Sequence, residues 1–193
     1  MSYSISKIVQ LINGNAHLSV SEQNVNNISI DSRRIIDTSS TLFFAISGPR
    51  NDGHKYINDL IKRGIHSFVV QHIPIGIELD GLNFIVVEDT LVSLHKLVAH
   101  HRKSFTYPVI GITGSNGKTI VKEWLYQILH SKLRIVRNPK SYNSQVGVPL
   151  SVWHMDANYD LGIFEAGISL PGEMEKLEKI LNVLHPNNFI YEI

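Results

Sequence analysis

Val109-Ile110-Gly111-Ile112-Thr113-Gly114-Ser115-Asn116-Gly117-Lys118-Thr119 is the most informative run in this chain. The β-branched residues of Val109 to Ile112 suit a buried strand, the glycines permit a tight turn, and the apolar spacing from Ile120 onward is helical. A strand that turns through glycines into a helix is a ready anion site. The free backbone N–H groups and the positive end of the helix dipole both face the turn. Lys118 adds a positive charge on a flexible stem, and the Thr119 hydroxyl can hold Mg²⁺. The spacing Gly114-x-x-Gly117-Lys118-Thr119 departs from the general phosphate-loop pattern, whose earlier glycine would fall at Ile112. An ordinary glycine-rich turn with a surface lysine is the alternative. The order of strand, Gly-Lys-Thr and helix favours ATP or GTP.

The segments on either side continue the alternation of strand and helix. Ile120, Val121, Trp124, Leu125, Ile128 and Leu129 predict a helix whose apolar face packs on a sheet. Leu133 to Val136 and Leu161 to Phe164 read as further strands, and Pro171 opens a helix carrying Met174, Leu177, Ile180 and Leu181. Upstream, Ile5, Ile8, Val9 and Ile12 predict a short helix stopped by Asn13-Gly14-Asn15. Val25–Ile30, Thr41–Ile46, Ser67–Val70 and Asn83–Val87 are candidate strands, and Ser47 to Gly53 is turn chemistry. Helices are expected over His54–Gly64 and Thr90–Lys103, the second with Asp89 as N-cap. The class is α/β: a small N-terminal α/β substrate domain, then the start of a phosphate-loop ATPase domain with a mostly parallel sheet. Ser104 to Pro108 separates the two, giving domains 1–104 and 105–193.

Composition excludes several classes. With 193 residues and 43% hydrophobic content the chain can bury one good core or two small ones. A net charge of +1, from scattered basic residues, provides no field for nucleic acid or a membrane surface. Cysteine is absent, so disulfides and thiolate metal sites are ruled out. No apolar run approaches the roughly 20 residues that span a bilayer, and no leader pattern opens the chain. A cytoplasmic protein is the expectation. His100-His101 sits on a polar helix end without metal-ligand spacing and is expected to be solvated.

Three further groups of residues can carry chemistry. Glu165 closes an apolar strand before Ala166-Gly167, which puts its carboxylate at the sheet's carboxyl edge, where open α/β sheets bind ligands. There it can complete a Mg²⁺ shell begun by Thr119, or simply be a solvated acid. Asn138 to Pro149 is a long polar stretch in which Asn143, Ser144 and Gln145 suit a peptide or nucleotide, or a plain connection. In the first domain, Arg33 and His54 could meet a substrate phosphate. Equally, Asp31 could cap a turn and hold Arg33 on the surface.

Together these stretches resemble the Mur ligases, ATP-dependent enzymes that add amino acids to UDP-N-acetylmuramate in peptidoglycan synthesis. The family motif Gly-x-x-Gly-x-Asn-Gly-Lys-Thr is met by Gly111 to Thr119. Asp31-Ser32-Arg33, Leu42 to Gly48 with Asp52-Gly53-His54, and Glu165 to Ser169 with Gly172-Glu173-Met174 are similar to the branch that adds D-alanyl-D-alanine to UDP-N-acetylmuramoyl-tripeptide. Lys140 to Leu150 resembles the form of that branch fused to an alanine racemase. The resemblance implies ATP and Mg²⁺ as cofactors, with Gly114, Ser115, Asn116, Gly117, Lys118 and Thr119 around the phosphates. It gives Lys118 and Glu165 catalytic roles, and Thr119 and Glu165 the metal. It makes Ser32, Arg33 and His54, with Asn143 and Ser144, candidates for the precursor. A monomer without nucleic-acid or membrane partners is expected.

The resemblance stops near Lys179, where the family continues into a strand, a histidine and a carbamylated lysine. Here the chain reads Ile180 to Ile193, and His185 is not taken for the missing ligand. A fragment or a shifted reading frame is therefore expected, catalytically crippled alone, with an unfinished sheet that lowers solubility. Three other readings remain: a non-catalytic precursor- or nucleotide-binding module, a sibling ligase adding another amino acid, and a folate-type ligase. Asp-Ser-Arg and Asp-Gly-His argue against the last.

Overall fold

The computed structural model describes residues 1–48, 51–140, 142–183 and, as backbone, 189–191. Pro49 and Arg50 of the expected turn, Ser141 of the polar stretch, and His185 lie outside the described residues. The chain forms two units, Met1–Leu97 and Val98–Ile193.

The first unit opens with β1 (Tyr3–Ser4) and α1 (Ile5–Ile12). Ser4 caps the helix by accepting from the Lys7 N–H, and Asn13 ends it in the left-handed region at φ 54°. Then come β2 (Asn15–Leu18), β3 (Asn24–Val25), β4 (Asn27–Ser29), β5 (Thr41–Phe44), β6 (Ser47–Gly48) and β7 (Asn51–Asp52). A 3₁₀ turn over Gly53–Tyr56 leads into α2 (Ile57–Lys62), β8 (Ser67–Val70), β9 (Asn83–Val86) and α3 (Thr90–Lys103), whose residues from Val98 onward belong to the second unit. Asp89 accepts from the Leu91 and Val92 N–H groups, the cap that its position predicts.

Five strands form the main sheet in the order β2-β9-β8-β5-β4. All neighbours are parallel except β2 with β9. The register places Phe43, Phe68 and Phe84 side by side on three adjacent strands, where they form a row of fully buried rings. Phe68 and Phe84 stack at 5.1 Å, and Phe43 meets Phe68 edge-on. Ile57 and Leu60 of α2 join this cluster.

Two expectations change here. The single strand over Val25–Ile30 is broken, because Val25 pairs with Tyr3 whereas Asn27–Ser29 pairs with β5. The turn at Ser47–Gly53 contains an antiparallel pairing of β6 with β7.

The second unit holds β10 (Val109–Thr113), α4 (Lys118–Leu129), β11 (Ile135–Arg137), α5 (Gly147–Val152), β12 (Leu161–Glu165), α6 (Glu173–Leu181) and β13 (Phe189–Tyr191). Its sheet is wholly parallel in the order β11-β12-β10-β13. Val121, Leu125 and Leu129 of α4 pack on Ile112, Leu161 and Ile163. Ile120, Trp124 and Ile128 do not share that face. They stand 56, 62 and 71% exposed, a correction to the single apolar face expected for this helix. Residues four apart align on a helix, so two apolar rows run along α4 and only one meets the sheet.

His101 is a second correction. It is buried against Trp153 and Phe105, and its Nε2 donates to the Met155 carbonyl. Burial holds its pKa at about 4. Among the described residues no helix is long and apolar enough to cross a membrane.

Candidate phosphate and cation site

Every chemical candidate of the second unit lies at the carboxyl edge of its parallel sheet. β10 ends at Thr113 and runs through Gly114–Gly117 into α4. Gly117 has φ 72°, a conformation that a β-carbon disfavours, and no side chain caps the helix. The first-turn N–H groups of a 12-residue helix are therefore left facing the turn, with the dipole behind them. Lys118 folds back over this loop, its Nζ donating to the Gly114 carbonyl at 2.6 Å and lying 3.4 Å from that of Ser115. Ser115 and Asn116 are exposed, and Thr119 is half-buried at the start of α4.

β12 runs alongside β10 with Ile112 opposite Glu165, and the Ala166 N–H donates to the Ile112 carbonyl at 2.7 Å. This register carries Glu165 to the residue pair just before the loop. The side chain is fully buried, yet neither carboxylate oxygen accepts a hydrogen bond among the described residues. Among the described residues its one charged neighbour at contact distance is Lys122, whose Nζ lies 3.5 Å from Oε2. A buried carboxylate without donors is costly unless a cation satisfies it. That orphaned pair of hard oxygens, beside a loop that suits phosphates, fits Mg²⁺, which takes one or two carboxylates plus phosphate oxygens and water. No cluster of three His, Cys, Asp or Glu residues exists among the described residues. A Mg²⁺ that takes most of its ligands from phosphate and water would not need one.

The stretch after β11 is not an open loop. Asn138 is fully buried, with its Nδ2 donating to the Glu165 carbonyl at 2.9 Å and to that of Tyr142 at 2.8 Å. Its Oδ1 accepts from the Glu165 N–H at 2.9 Å. Asn143 accepts from the Gly167 N–H through its carbonyl at 2.7 Å. Ser144 Oγ accepts from the Gly147 N–H and so starts α5, while Gln145 donates to the Glu173 carbonyl. Asn143 and Ser144, expected as substrate contacts, thus first of all fasten this segment, Asn143 to the end of β12.

In the first unit, Ser32, Arg33 and His54 follow β4 and β5, again beyond the carboxyl ends of parallel strands. Asp31 caps the 3₁₀ turn over Ser32–Arg34 and binds the Arg33 guanidinium through two contacts of 2.9 Å, which holds its own carboxyl below the usual range. Arg33 is otherwise exposed, and Arg63 donates to the Ser32 carbonyl. His54 is buried, and both ring nitrogens are engaged. Nδ1 donates to Asp52 at 2.7 Å and Nε2 accepts from the Gln71 N–H at 3.0 Å, with His72 stacked on the ring. In this arrangement His54 ties the end of β8 to the turn after β5 and leaves no ring nitrogen for a phosphate.

Sequence reading passed over Lys122 and Asn138. Lys122 lay hidden as a polar residue within an apolar helix, and Asn138 as one amide in a polar run. A lysine on the outer flank of the Val121-Leu125-Leu129 row of α4 was the available signal.

Residues 24–102 match the domain family described as Mur ligase family, catalytic domain, and residues 112–185 match the Mur ligase middle domain. The UDP-N-acetylmuramoyl-tripeptide–D-alanyl-D-alanine ligase of Borreliella burgdorferi is 34% identical over 168 residues, covering 83% of this chain and 36% of that protein. The UDP-N-acetylmuramoyl-L-alanyl-D-glutamate–2,6-diaminopimelate ligase of Clostridioides difficile is 37% identical over 123 residues, covering 63% and 24%. Among solved structures, the Acinetobacter baumannii UDP-N-acetylmuramoylalanyl-D-glutamyl-2,6-diaminopimelate–D-alanyl-D-alanyl ligase superposes with a TM-score of 0.83 at 28% identity, over 94% of this chain and 40% of that one. The chain thus spans roughly a third to two fifths of the length of the D-alanyl-D-alanine ligases that it resembles.

Proposed function

The chain belongs to the Mur ligase family, and from that premise we propose that it supplies the precursor-binding and phosphate-binding parts of an ATP-dependent ligase adding D-alanyl-D-alanine to UDP-N-acetylmuramoyl-tripeptide. In this reading residues 1–104 take the UDP end of the precursor and 105–193 take ATP with Mg²⁺. One observation supports it above the others: a buried carboxylate with no hydrogen-bond donor among the described residues, set in register beside the strand that feeds the Gly114–Thr119 loop.

The chemistry asked of these residues follows from charge. The γ-phosphoryl group of ATP passes to the tripeptide carboxylate, releasing ADP; the dipeptide amine then attacks the acyl phosphate, and the tetrahedral intermediate expels phosphate to leave an amide. Each step moves negative charge over phosphoryl oxygens, which preorganised donors and cations stabilise. The first-turn N–H groups of α4 and Lys118 would bind the β- and γ-phosphates. Asn116 would shape the loop. Thr119 and Glu165 would hold Mg²⁺, which would supply positive charge against the phosphate oxygens. Ser32 and Arg33 offer the precursor a hydroxyl and a guanidinium beyond β4; His54 would act by holding that edge together.

Titration of the chain with AMP-PNP and Mg²⁺, and separately with UDP-N-acetylmuramoyl-tripeptide, tests this reading. Binding of both is expected, and binding of neither refutes it. Precursor binding without nucleotide binding would favour the non-catalytic module. The 37% identity to a diaminopimelate-adding relative supports one second reading, a sibling ligase. Tighter binding of the precursor that ends in D-glutamate than of the tripeptide would favour it.

A further inference from the structure

Lys122 lies one turn into α4 from the phosphate loop, and its ammonium group is fully enclosed. Burying an ammonium is costly unless its charge and its protons are both matched. Nζ donates to the Asn138 carbonyl at 2.9 Å and to the Lys140 carbonyl, and sits 3.5 Å from Glu165 Oε2 and 3.6 Å from Glu123 Oε1. Asn138 in turn holds both backbone groups of Glu165. Three separate pieces of chain, the first turns of α4, the segment after β11 and the end of β12, therefore meet at one carboxylate.

The division of Lys122's contacts matters. A lysine hydrogen-bonded to Glu165 would occupy the lone pairs that a metal ion needs. Here the hydrogen bonds go to main-chain carbonyls, and the ammonium stands at ion-pair distance from a carboxylate that accepts nothing among the described residues. Its charge offsets that of Glu165 while the enclosed oxygens stay unbonded.

We propose that Lys122 is a positioning residue for the cation site: it fixes the Glu165 carboxylate beside the phosphate loop, unbonded and aimed to receive a divalent cation. The proposal rests on the nucleotide reading given above. Two effects oppose each other. Lys122 repels an incoming cation, which weakens binding, and it pre-orders the ligand, which strengthens it. Pre-ordering is taken to win, because removing the lysine leaves a buried carboxylate with no counter-charge and a strong drive to turn away towards solvent.

The test is the ratio of AMP-PNP affinity in Mg²⁺ to that in EDTA, measured by calorimetry on the full 193-residue chain as wild type, K122M, E165Q and K122M/E165Q. Loss of a residue that orients a metal ligand costs about 10- to 100-fold in metal affinity, so the K122M ratio is expected to fall by that factor towards the E165Q value. The double variant is expected to match E165Q, since Lys122 acts through Glu165. A merely structural lysine would lower both affinities together and leave the ratio unchanged. A K122M ratio equal to or above that of the wild type overturns the proposal, as does a double variant whose ratio falls below that of E165Q. If K122M fails to fold, E165Q and the double variant carry the comparison, because replacing both members of a buried ion pair is far better tolerated than removing one. A wild type that binds no AMP-PNP under either condition overturns the nucleotide reading and this proposal together. Wild-type binding with an unchanged ratio in K122M overturns this proposal alone.

Discussion

Replacing Asn138 with alanine removes the side chain that fastens Glu165, and the cost can be worked from its contacts. The amide satisfies the Glu165 N–H at 2.9 Å, the Glu165 carbonyl at 2.9 Å and the Tyr142 carbonyl at 2.8 Å. Both Glu165 groups belong to a fully buried residue, while Tyr142 is half-buried. A buried polar group left unpaired costs about 1–3 kcal/mol, so the two Glu165 groups and a discounted Tyr142 give about 3 kcal/mol in all. Both tryptophans, Trp124 and Trp153, lie in the second unit, and Trp153 is buried. Tryptophan fluorescence in urea therefore reports on the unit that Asn138 supports. With a slope of about 1 kcal/mol per molar urea, Asn138→Ala lowers the midpoint by about 2–3 M. Asn138→Asp is expected to be worse. It keeps the acceptor for the Glu165 N–H but turns a carboxylate oxygen towards two carbonyls, close to the negative charge of Glu165. A midpoint within about 0.5 M of wild type for Asn138→Ala, or a milder effect for the aspartate, would refute this account of how Glu165 is held.

Other outcomes follow from the same structure. Gly53→Ala would set a Cβ 2.7 Å from Ala45 Cα and 2.8 Å from its carbonyl carbon, so about 1–3 kcal/mol of stability is lost. Faster hydrogen exchange at the buried amides of β5 and β8 is the readout, and wild-type protection would contradict the packing. His101 has its pKa lowered to about 4 from 6.5 by burial, so the unfolded chain binds the proton first. Its contribution of about 3 kcal/mol is present above pH 6.5 and is lost as pH falls through 4; a urea midpoint whose acid limb is equally steep in His101→Phe would sink the assignment. Substituting Ile120, Trp124 and Ile128 together with glutamine is expected to change stability by less than about 0.5 kcal/mol per site while raising solubility, whereas Leu125→Ala costs about 2 kcal/mol or more. Circular dichroism melts with light scattering separate the two rows of α4, and equal losses from both would show that the exposed row is packed after all.

The legible parts of the chain are those in which local chemistry and tertiary role coincide. Glycines that permit the turn also bring the backbone to an anion, so Gly114–Thr119 could be read as strand, loop and helix from one run of residues. Glu165 was visible because a charged residue ending an apolar strand sits at the sheet edge wherever the strand pairs. Asn13 and Asp89 were visible because caps are local. The hidden parts take their structure from elsewhere. β2 reads Asn-Ala-His-Leu, four residues whose alternation is too short to signal a strand and whose first three positions are exposed, and it is a strand because β9 offers it an edge. Along α4 two rows of apolar residues have the same period, and periodicity cannot tell which meets the sheet. His101 looks solvated beside His100, yet Trp153 and Phe105 cover it from distant positions in the chain. The links from Lys122 and Asn138 to Glu165 cross three segments, and sequence spacing carries no trace of them.

Two buried cations among the described residues of the second unit, Arg102 and Lys122, differ in what their packing explains. Arg102 is almost wholly enclosed and gives its guanidinium to the carbonyls of Leu181 at 2.8 Å and Phe105 at 2.6 Å, with Tyr107 and Asn182 at 3.4 Å. Two of these carbonyls close the C-terminal end of α6, the negative end of its dipole, so charge and protons are matched by structure alone. Stability accounts for Arg102 completely. Lys122 is just as enclosed, but a packing account of it leaves the carboxylate of Glu165 without a donor among the described residues. An apolar pair of the same shape there would be as stable, or more so by about 1–4 kcal/mol, so stability alone gives no reason for a buried lysine and glutamate in that position. A cation held there, as proposed above, would give one. It would satisfy carboxylate oxygens that accept no hydrogen bond among the described residues, where the strand register sets Glu165 opposite Ile112, one residue before β10 ends.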